Sequence, residues 1–456
     1  MNIIIIGCGK TGAALAEELN NEGHDITIVD RDEKRVRDLA MSLDVIGVYG
    51  NGAILNVQKE AGVDKADLLI ACTESDELNM LICLFARKAG DCMTICRIRN
   101  VEYENEIDYL QKELGISLVI SPEKLTAHEV VRLLHFPSAT QIESFSNGKA
   151  EMVTVRLKKE SPLVGLALRD LHKKFVGGVV IVMIERGQEV IIPSGDDEMR
   201  PGDLISFIAD ADEAMKFLKK CDPNLRPHRS VFVIGAGRIT NYILEERDRM
   251  KNPMNFKVFD IREERCTALS ERYQDVTFIN GSGTDQGLLR EENIEGADVM
   301  VTVTGIDEQN VMMSMIAREN YGTRMITKVN HLEPEDIPDS LDIGSLIAPK
   351  MITANEVVRF VRAVEESRDS SITSLYKLAD GRAEAQEYEV LEDSWLTDVM
   401  LKDLRKKPNL VIGAIIRNGE FLAPSGSDVI RKGDHIVIVT RADNQIRSLS
   451  DIAAEA

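Results

Sequence analysis

No stretch of this 456-residue sequence approaches the roughly 20 consecutive apolar residues that a bilayer-crossing helix needs, and no basic region precedes the apolar N-terminal segment. Neither a membrane span nor export is expected. Massed positive charge is also lacking: 55 Lys and Arg stand against 76 Asp and Glu, a formal net charge of −21 spread along the chain. General nucleic-acid binding is therefore disfavoured, since it needs clustered basic side chains against phosphate. Ligand-spaced cysteines are missing as well. The seven cysteines lie mostly in apolar runs such as LLIACT and MTIC, with no C-x-x-C pair and no nearby histidine cluster, and read as reduced, buried thiols of a cytosolic protein. The seven histidines are scattered, and none pairs with another at ligand spacing, so no metal site is expected. What is present is core material, 44% hydrophobic residues, enough for roughly two to four domains.

The sequence repeats itself at a spacing of about 230 residues. IIIIGCGKTG aligns with VFVIGAGRIT, placing Gly7 and Gly9 on Gly235 and Gly237. ITIVD, ending at Asp30, aligns with FKVFD, ending at Asp260. Further on, Asp76 and Asn79 fall on Asp307 and Asn310, and Pro122 falls on Pro349. A second kind of segment repeats too: IIPSGDDEMRPGD matches LAPSGSDVIRKGD, setting Gly202-Asp203 on Gly433-Asp434. The order is A-B-A-B, with boundaries expected at 1–135, 140–222, 229–362 and 370–456, and with CDPNLRPH (221–228) joining the halves.

In each A unit, short β-branched runs alternate with amphipathic stretches, which predicts a doubly wound parallel sheet of the Rossmann kind with helices on both faces. The B units hold strands with few helices between them, as in a small β-rich α+β domain.

The first glycine loop has the full setting of a dinucleotide fingerprint: it follows a strand, opens a helix, and is answered by an acid, Asp30, at the end of the next strand. Gly7 serves the tight turn, Gly9 admits pyrophosphate to the backbone, Gly12 lets the helix pack on the sheet, and Asp30 accepts from ribose hydroxyls. An acid at that place favours NAD(H) or an adenosine nucleotide over NADP. The second loop keeps Gly235, Gly237 and Asp260 but has Thr240 where Gly12 stands, so its helix sits slightly farther from the strand or packs against the small hydroxyl. Lys10 and Arg238, equivalent within the loops, either reach phosphate oxygens or are solvated surface charge. Thr73, Glu74, Thr304 and Gly305 end the fourth strands, at the edge where open α/β sheets bind ligands. Arg97 and Lys328 on the fifth strands either neutralise phosphate or pair with a neighbouring carboxylate.

A dehydrogenase would need a second domain bringing an acid, base or metal to the nicotinamide. The B units supply no His/Asp pair, no Tyr/Lys spacing and no metal cluster, and their Pro-Ser-Gly-Asp features read as tight turns. No catalytic residues are assigned. A duplicated nucleotide-binding unit without chemistry suits a non-enzymatic sensor, whose bound ligand shifts a domain geometry.

These motifs in this order, GCGKTG and GAGRIT, Asp30 and Asp260, YGNGA, TESDELNML with TGIDEQNVM, and PSG…PGD, resemble the tandem RCK (also called KTN) domains of the TrkA family, cytosolic regulatory subunits of Trk potassium-uptake systems. The likeness covers essentially the whole chain. It implies a Rossmann lobe and a C-terminal lobe in each half and a peripheral position on the cytoplasmic face of the inner membrane. The implied partner is a TrkH- or TrkG-type potassium-translocating subunit, and the implied assembly is a dimeric or tetrameric ring whose geometry responds to NAD(H), ATP or ADP. Carried over by position, the nucleotide contacts are Gly7, Cys8, Gly9, Lys10, Thr11, Asp30, Thr73, Glu74 and Arg97, and in the second half Gly235, Ala236, Gly237, Arg238, Ile239, Asp260, Thr304, Gly305 and Lys328. The sequence departs from the family at Thr240, and at Asn51 and Ser282, where many RCK sequences have Asp. The competing readings are an NAD-dependent oxidoreductase and a regulator of a cation efflux transporter.

Overall fold

The isoleucine run that opens the chain is buried along its whole length, with Ile3 to Ile6 between 0 and 2% exposed. A strand apolar on both faces must be covered on both, and β1 (Asn2–Ile6) accordingly lies in the middle of a parallel sheet. The computed structural model describes residues 1–453 apart from 147, 175–177, 224, 248–253, 332–342, 367–371, 380, 445 and 447. The expected boundaries at 370 and 456 lie outside the described residues.

The first sheet adds β2 (Asp25–Asp30), β3 (Ile46–Tyr49), β4 (Leu68–Ala71), β5 (Met93–Arg97) and β6 (Leu118–Ile120) in the order β3-β2-β1-β4-β5-β6. Register is in step, with Ile3 opposite Ile26 on one side and Leu68 on the other. Strand order reverses between β1 and β4, which opens a crevice at their carboxyl ends. The helix Lys10–Asn21 turns Ala14, Leu15 and Leu19 onto the sheet, at the spacing of a helical stripe.

The first C-terminal lobe is an antiparallel sheet of β7 (Ala139–Phe145), β8 (Ala150–Arg156), β9 (Val180–Arg186), β10 (Glu189–Ile191) and β11 (Leu204–Ala209), ordered β10-β9-β11-β8-β7. The second half repeats both. Strands β12 (Ser230–Ile234), β13 (Asn255–Asp260), β14 (Thr277–Asn280), β15 (Val299–Thr302), β16 (Arg324–Lys328) and β17 (Ser345–Ile347) are ordered β14-β13-β12-β15-β16-β17. Strands β18 (Ile372–Leu378), β19 (Ala383–Glu389), β20 (Leu410–Arg417), β21 (Glu420–Leu422) and β22 (His435–Arg441) follow as β18-β19-β22-β20-β21, the same order as the first lobe read from its other edge. The fold is thus two Rossmann sheets, each followed by a small antiparallel one. Among the described residues no helix is long and apolar enough to cross a membrane.

Compaction does not follow chain order. One unit gathers Met1–Val131 with Arg229–Val358, and the other gathers Arg132–His228 with Arg359–Ala456. Like lobes pair with like. In the second unit a single core mixes Phe145, Met152, Val182 and Ile208 of one lobe with Leu378, Ala385, Ala414 and Val437 of the other. The approach is close enough that a Cβ at Gly413 would lie 2.7 Å from both Val182 and Ile208 side chains, so only glycine fits there. Tyr376 crosses between the lobes, its ring edge-on to Phe145 at 5.1 Å and its hydroxyl donating to the Ser144 carbonyl at 2.6 Å.

The repeated PSG…PGD segments are more than turns. Asp203 and Asp434 are buried at their ends, and each accepts a forked pair of hydrogen bonds, from Arg186 at 2.8 and 2.9 Å and from Arg417 at 2.7 and 2.8 Å. Each also accepts a backbone N–H at 2.8 Å, from Arg200 and Arg431. The planar fork is what permits an acid to be buried in these small lobes.

Candidate functional site

The glycine loop is held by contacts that tolerate no side chain. Gly7 has φ +105°, and a Cβ on Gly12 would fall 1.8 Å from the Gly7 carbonyl oxygen, so the helix can start against the turn only with glycine at 12. A Cβ at Gly9, by contrast, would meet nothing within 4 Å, and that side of the loop is open. In the second repeat Thr240 replaces the third glycine and its hydroxyl donates to the Gly235 carbonyl. There a Cβ at Gly235 would come no nearer than 3.2 Å to the neighbouring strand end, against 2.9 Å at Gly7. That loop is looser by a few tenths of an ångström, and the hydroxyl takes up the space.

Asp30 closes the first loop from the side. Its Oδ2 accepts the Cys8 N–H at 2.6 Å and its Oδ1 accepts the Asp32 N–H at 2.9 Å. Asp260 does the same with Ala236 N–H at 2.8 Å and Arg262 N–H at 2.9 Å, and in addition faces the guanidiniums of Arg262 and Arg265, each at 3.7 Å.

The opposite wall depends on residues that the repeat search matched without giving them a role. Asn79, fully buried, accepts from the Thr73 N–H at 2.8 Å and hydroxyl at 2.7 Å and donates to the Arg97 carbonyl at 2.9 Å, tying the ends of β4 and β5 together. Asn310 ties Thr304 to the Lys328 carbonyl in the same way, at 3.2, 2.6 and 2.9 Å. Asp76 accepts the N–H groups of Arg99 and Asn100 at 2.9 and 2.8 Å, and Asp307 those of Asn330 and His331. These pairs fix where Arg97 and Lys328 emerge.

Between the walls lies a cleft of about 720 Å³. It brings together Gly7, Gly9, Lys10, Thr11, Asp30, Thr73, Glu74 and Arg97 of the expected set. Cys8 is not on the wall; it is buried and contributes only its backbone N–H. Gly235, Ala236, Gly237, Arg238, Asp260, Thr304 and Gly305 belong to the corresponding edge of the second sheet. Lys328 and Ile239, expected as contacts of the second half, also line the first cleft. The reason is that the two Rossmann lobes face each other across their loops: Lys10 Nζ lies 2.6 Å from His331 Nε2, and Arg238 lies 3.6 Å from Glu123. Sequence reasoning also missed Arg31, Arg35, Asn51, Arg99, Glu123 and, from the second repeat, Asn330 and Lys350. The spacing of Arg31 and Arg35 after Asp30 was a visible signal, whereas Lys350 reaches the cleft only through the pairing of lobes.

Seven cationic side chains and three carboxylates line this cleft, in a chain whose net charge is −21. Burial holds Arg97 and Lys328 below their ordinary pKa values, with Glu123 opposing the shift for both and Asp307 opposing it more strongly for Lys328. Arg97 Nε is buried and finds no hydrogen-bond partner among the described residues. Such a site fits a phosphate chain: backbone N–H groups at a helix start, an open glycine, and buried cation donors left over. Thiol chemistry is excluded by the surroundings, since burial pushes Cys8 and Cys72 up to about 12 and keeps them protonated. Among the described residues no group of His, Cys, Asp and Glu could hold a metal ion.

Residues 3–122 and 231–349 match the TrkA-N domain family, and 152–222 and 385–453 the TrkA-C domain family. The Trk system potassium uptake protein TrkA of Halomonas elongata is 32% identical over 458 residues, covering 98% of both proteins. TrkA homolog 1 of Methanosarcina mazei is 30% identical, covering 97% of this chain and 98% of that one. Among solved structures, the GsuK channel bound to NAD superposes with a TM-score of 0.62 at 17% identity, covering 97% of this chain and 77% of that one, a likeness of fold. With both domain families present twice and the whole length matched, the chain belongs to the TrkA family of Trk-system potassium uptake proteins.

Proposed function

We propose that this chain is the nucleotide-sensing regulatory subunit of a Trk-type potassium-uptake system, acting by binding and not by catalysis. The observation that carries the reading is the cationic cleft at the reversal of strand order in the first repeat, lined by Asp30 and Arg97. NAD(H), ADP and ATP share the adenosine and phosphate chain that such a cleft accepts. Asp30 would orient the ribose, the loop N–H groups and Lys10 would hold phosphate, and Arg97 would complete the charge balance. The partner is a membrane potassium-translocating subunit of the TrkH or TrkG type, docked on its cytoplasmic face, and the working form is a ring of several copies. Family membership supports this partner and a regulatory role.

The test is calorimetric titration of the full chain with NADH, NAD, ADP and ATP. Binding of at least one is expected, with Asp30→Ala weakening it about 10-fold or more, since a hydrogen bond to a charged group is worth about 1.5–3 kcal/mol. Substrate-dependent loss of nicotinamide absorbance by the purified chain would overturn the non-enzymatic reading.

A further inference from the structure

The residues that meet across the shared core of the C-terminal lobes come from equivalent places in the repeat without being the same residues. Val182 and Gly413 are aligned, yet they face each other: a Cβ at Gly413 would fall 2.7 Å from Val182 Cγ1. Valine on one side is accommodated by glycine on the other. Ser146 and Ala379 are likewise aligned, each with a positive φ, 48° and 50°. Ser146 donates its N–H, at 3.2 Å, and its hydroxyl to Glu387 of the second lobe, a buried carboxylate with His435 Nδ1 at 3.1 Å. The counterpart of Glu387 in the first lobe is Thr154, whose hydroxyl is bonded within its own lobe to that of Ser206 at 2.7 Å. The third contact is ionic. Arg382 reaches Glu185 at 3.1 Å and the Gln188 carbonyl at 2.7 Å, whereas the aligned pair on the other side is Lys149 and Ile416.

Like lobes placed face to face fail at each of these points. Two first lobes would set valine against valine where a single added carbon is already too close, and would leave Ser146 facing threonine. Two second lobes would set Arg382 against the apolar Ile416 and deprive Glu387 of the Ser146 hydroxyl, and a buried charge short of a partner is costly. We propose that Val182 with Gly413, Ser146 with Glu387, and Glu185 with Arg382 are specificity determinants of lobe pairing: a first C-terminal lobe accepts a second one and rejects a copy of itself.

The experiment follows hydrogen exchange in the full chain. The Ser146 amide reports the pairing, because its acceptor lies in the other lobe, and the amides of the β8–β11 ladder report the integrity of the first lobe. Each single variant recreates one like-with-like contact. Gly413→Val is expected to speed exchange at Ser146 about 10-fold or more with the ladder unchanged, and adding Val182→Gly is expected to bring it back to within about threefold. Glu185→Ile, at a partly exposed ion pair, is expected to speed it only a few-fold. Should Gly413→Val fail to fold, Gly413→Ala with and without Val182→Ala makes the same comparison with one methyl. Unchanged exchange at Ser146 in the position-413 variant, or no recovery on trimming Val182 while the ladder stays protected, would overturn the selectivity.

Discussion

In the first repeat Asp30 is bonded through both oxygens to backbone N–H groups, and the neighbouring Arg35 is drawn off to Asp32 at 3.3 Å. In the second, Asp260 makes the same two backbone bonds and is also flanked by Arg262 and Arg265, while Thr240 props the helix where glycine would let it settle. The backbone of the site was copied; its electrostatics were not. Geometry of a glycine loop is fixed by sterics that a duplicate inherits, whereas ligand preference rests on a few surface side chains that can diverge without unfolding anything. The second repeat moreover lends Lys328 and Lys350 to its twin.

The steepest way to break the comparison is at the third loop position. Gly12→Ala puts a methyl 1.8 Å from a carbonyl oxygen and is expected to cost about 3 kcal/mol, read as lost hydrogen-exchange protection in β1 and the following helix. Thr240→Gly removes one buried hydroxyl and is expected to cost about 1 kcal/mol in the second repeat. Equal losses would mean the two loops are packed alike after all. A milder effect is expected from Arg265→Ala, which relieves Asp260 of one guanidinium and frees its outer face for ribose hydroxyls. Because the pair is partly exposed, the gain in nucleotide binding at the second repeat should be only a few-fold; calorimetry in an Asp30→Asn background isolates it, and no gain would show that the arginine is not what differs.

The C-terminal lobes sharpen the contrast, since there the repeats agree: Arg186 grips Asp203 as Arg417 grips Asp434. Burial alone would raise the Asp203 pKa, but hydrogen bonds from Arg186 and from the Arg200 backbone outweigh it and hold the carboxyl below its ordinary value. A carboxyl lowered by folding stabilises the native state above the unfolded pKa and loses that contribution as pH falls through the folded one. Unfolding of this lobe should therefore become easier below about pH 4, with a pH slope that Asp203→Asn flattens; an unchanged slope in thermal scans from pH 5 to 3 would count against the pair.

Much of the site was legible because its constraints are local. Gly7, Gly9, Gly12 and Asp30 are consecutive features of one strand-turn-helix-strand unit, and Thr73, Glu74 and Arg97 follow from strand order. The repeat alignment also exposed Asn79 and Asp76, although their work of tying strand ends became plain only with hydrogen bonds in view. Glu123 and Lys350 were out of reach, because a residue at the start of a distant helix carries no sign of the cleft it will face. For the same reason the part that Lys328 and Ile239 take in lining the first cleft was out of reach.

Periodicity and duplication in the sequence determine four lobes in the order A-B-A-B, the parallel and antiparallel character of their sheets, and the two glycine loops, all governed by contacts within one lobe. Which lobes pair was decided only in three dimensions. The Rossmann lobes meet across their loops and the C-terminal lobes share one apolar core around Gly413, because each has a face that its own lobe cannot cover. That pairing gives the cleft at the first glycine loop walls from both repeats.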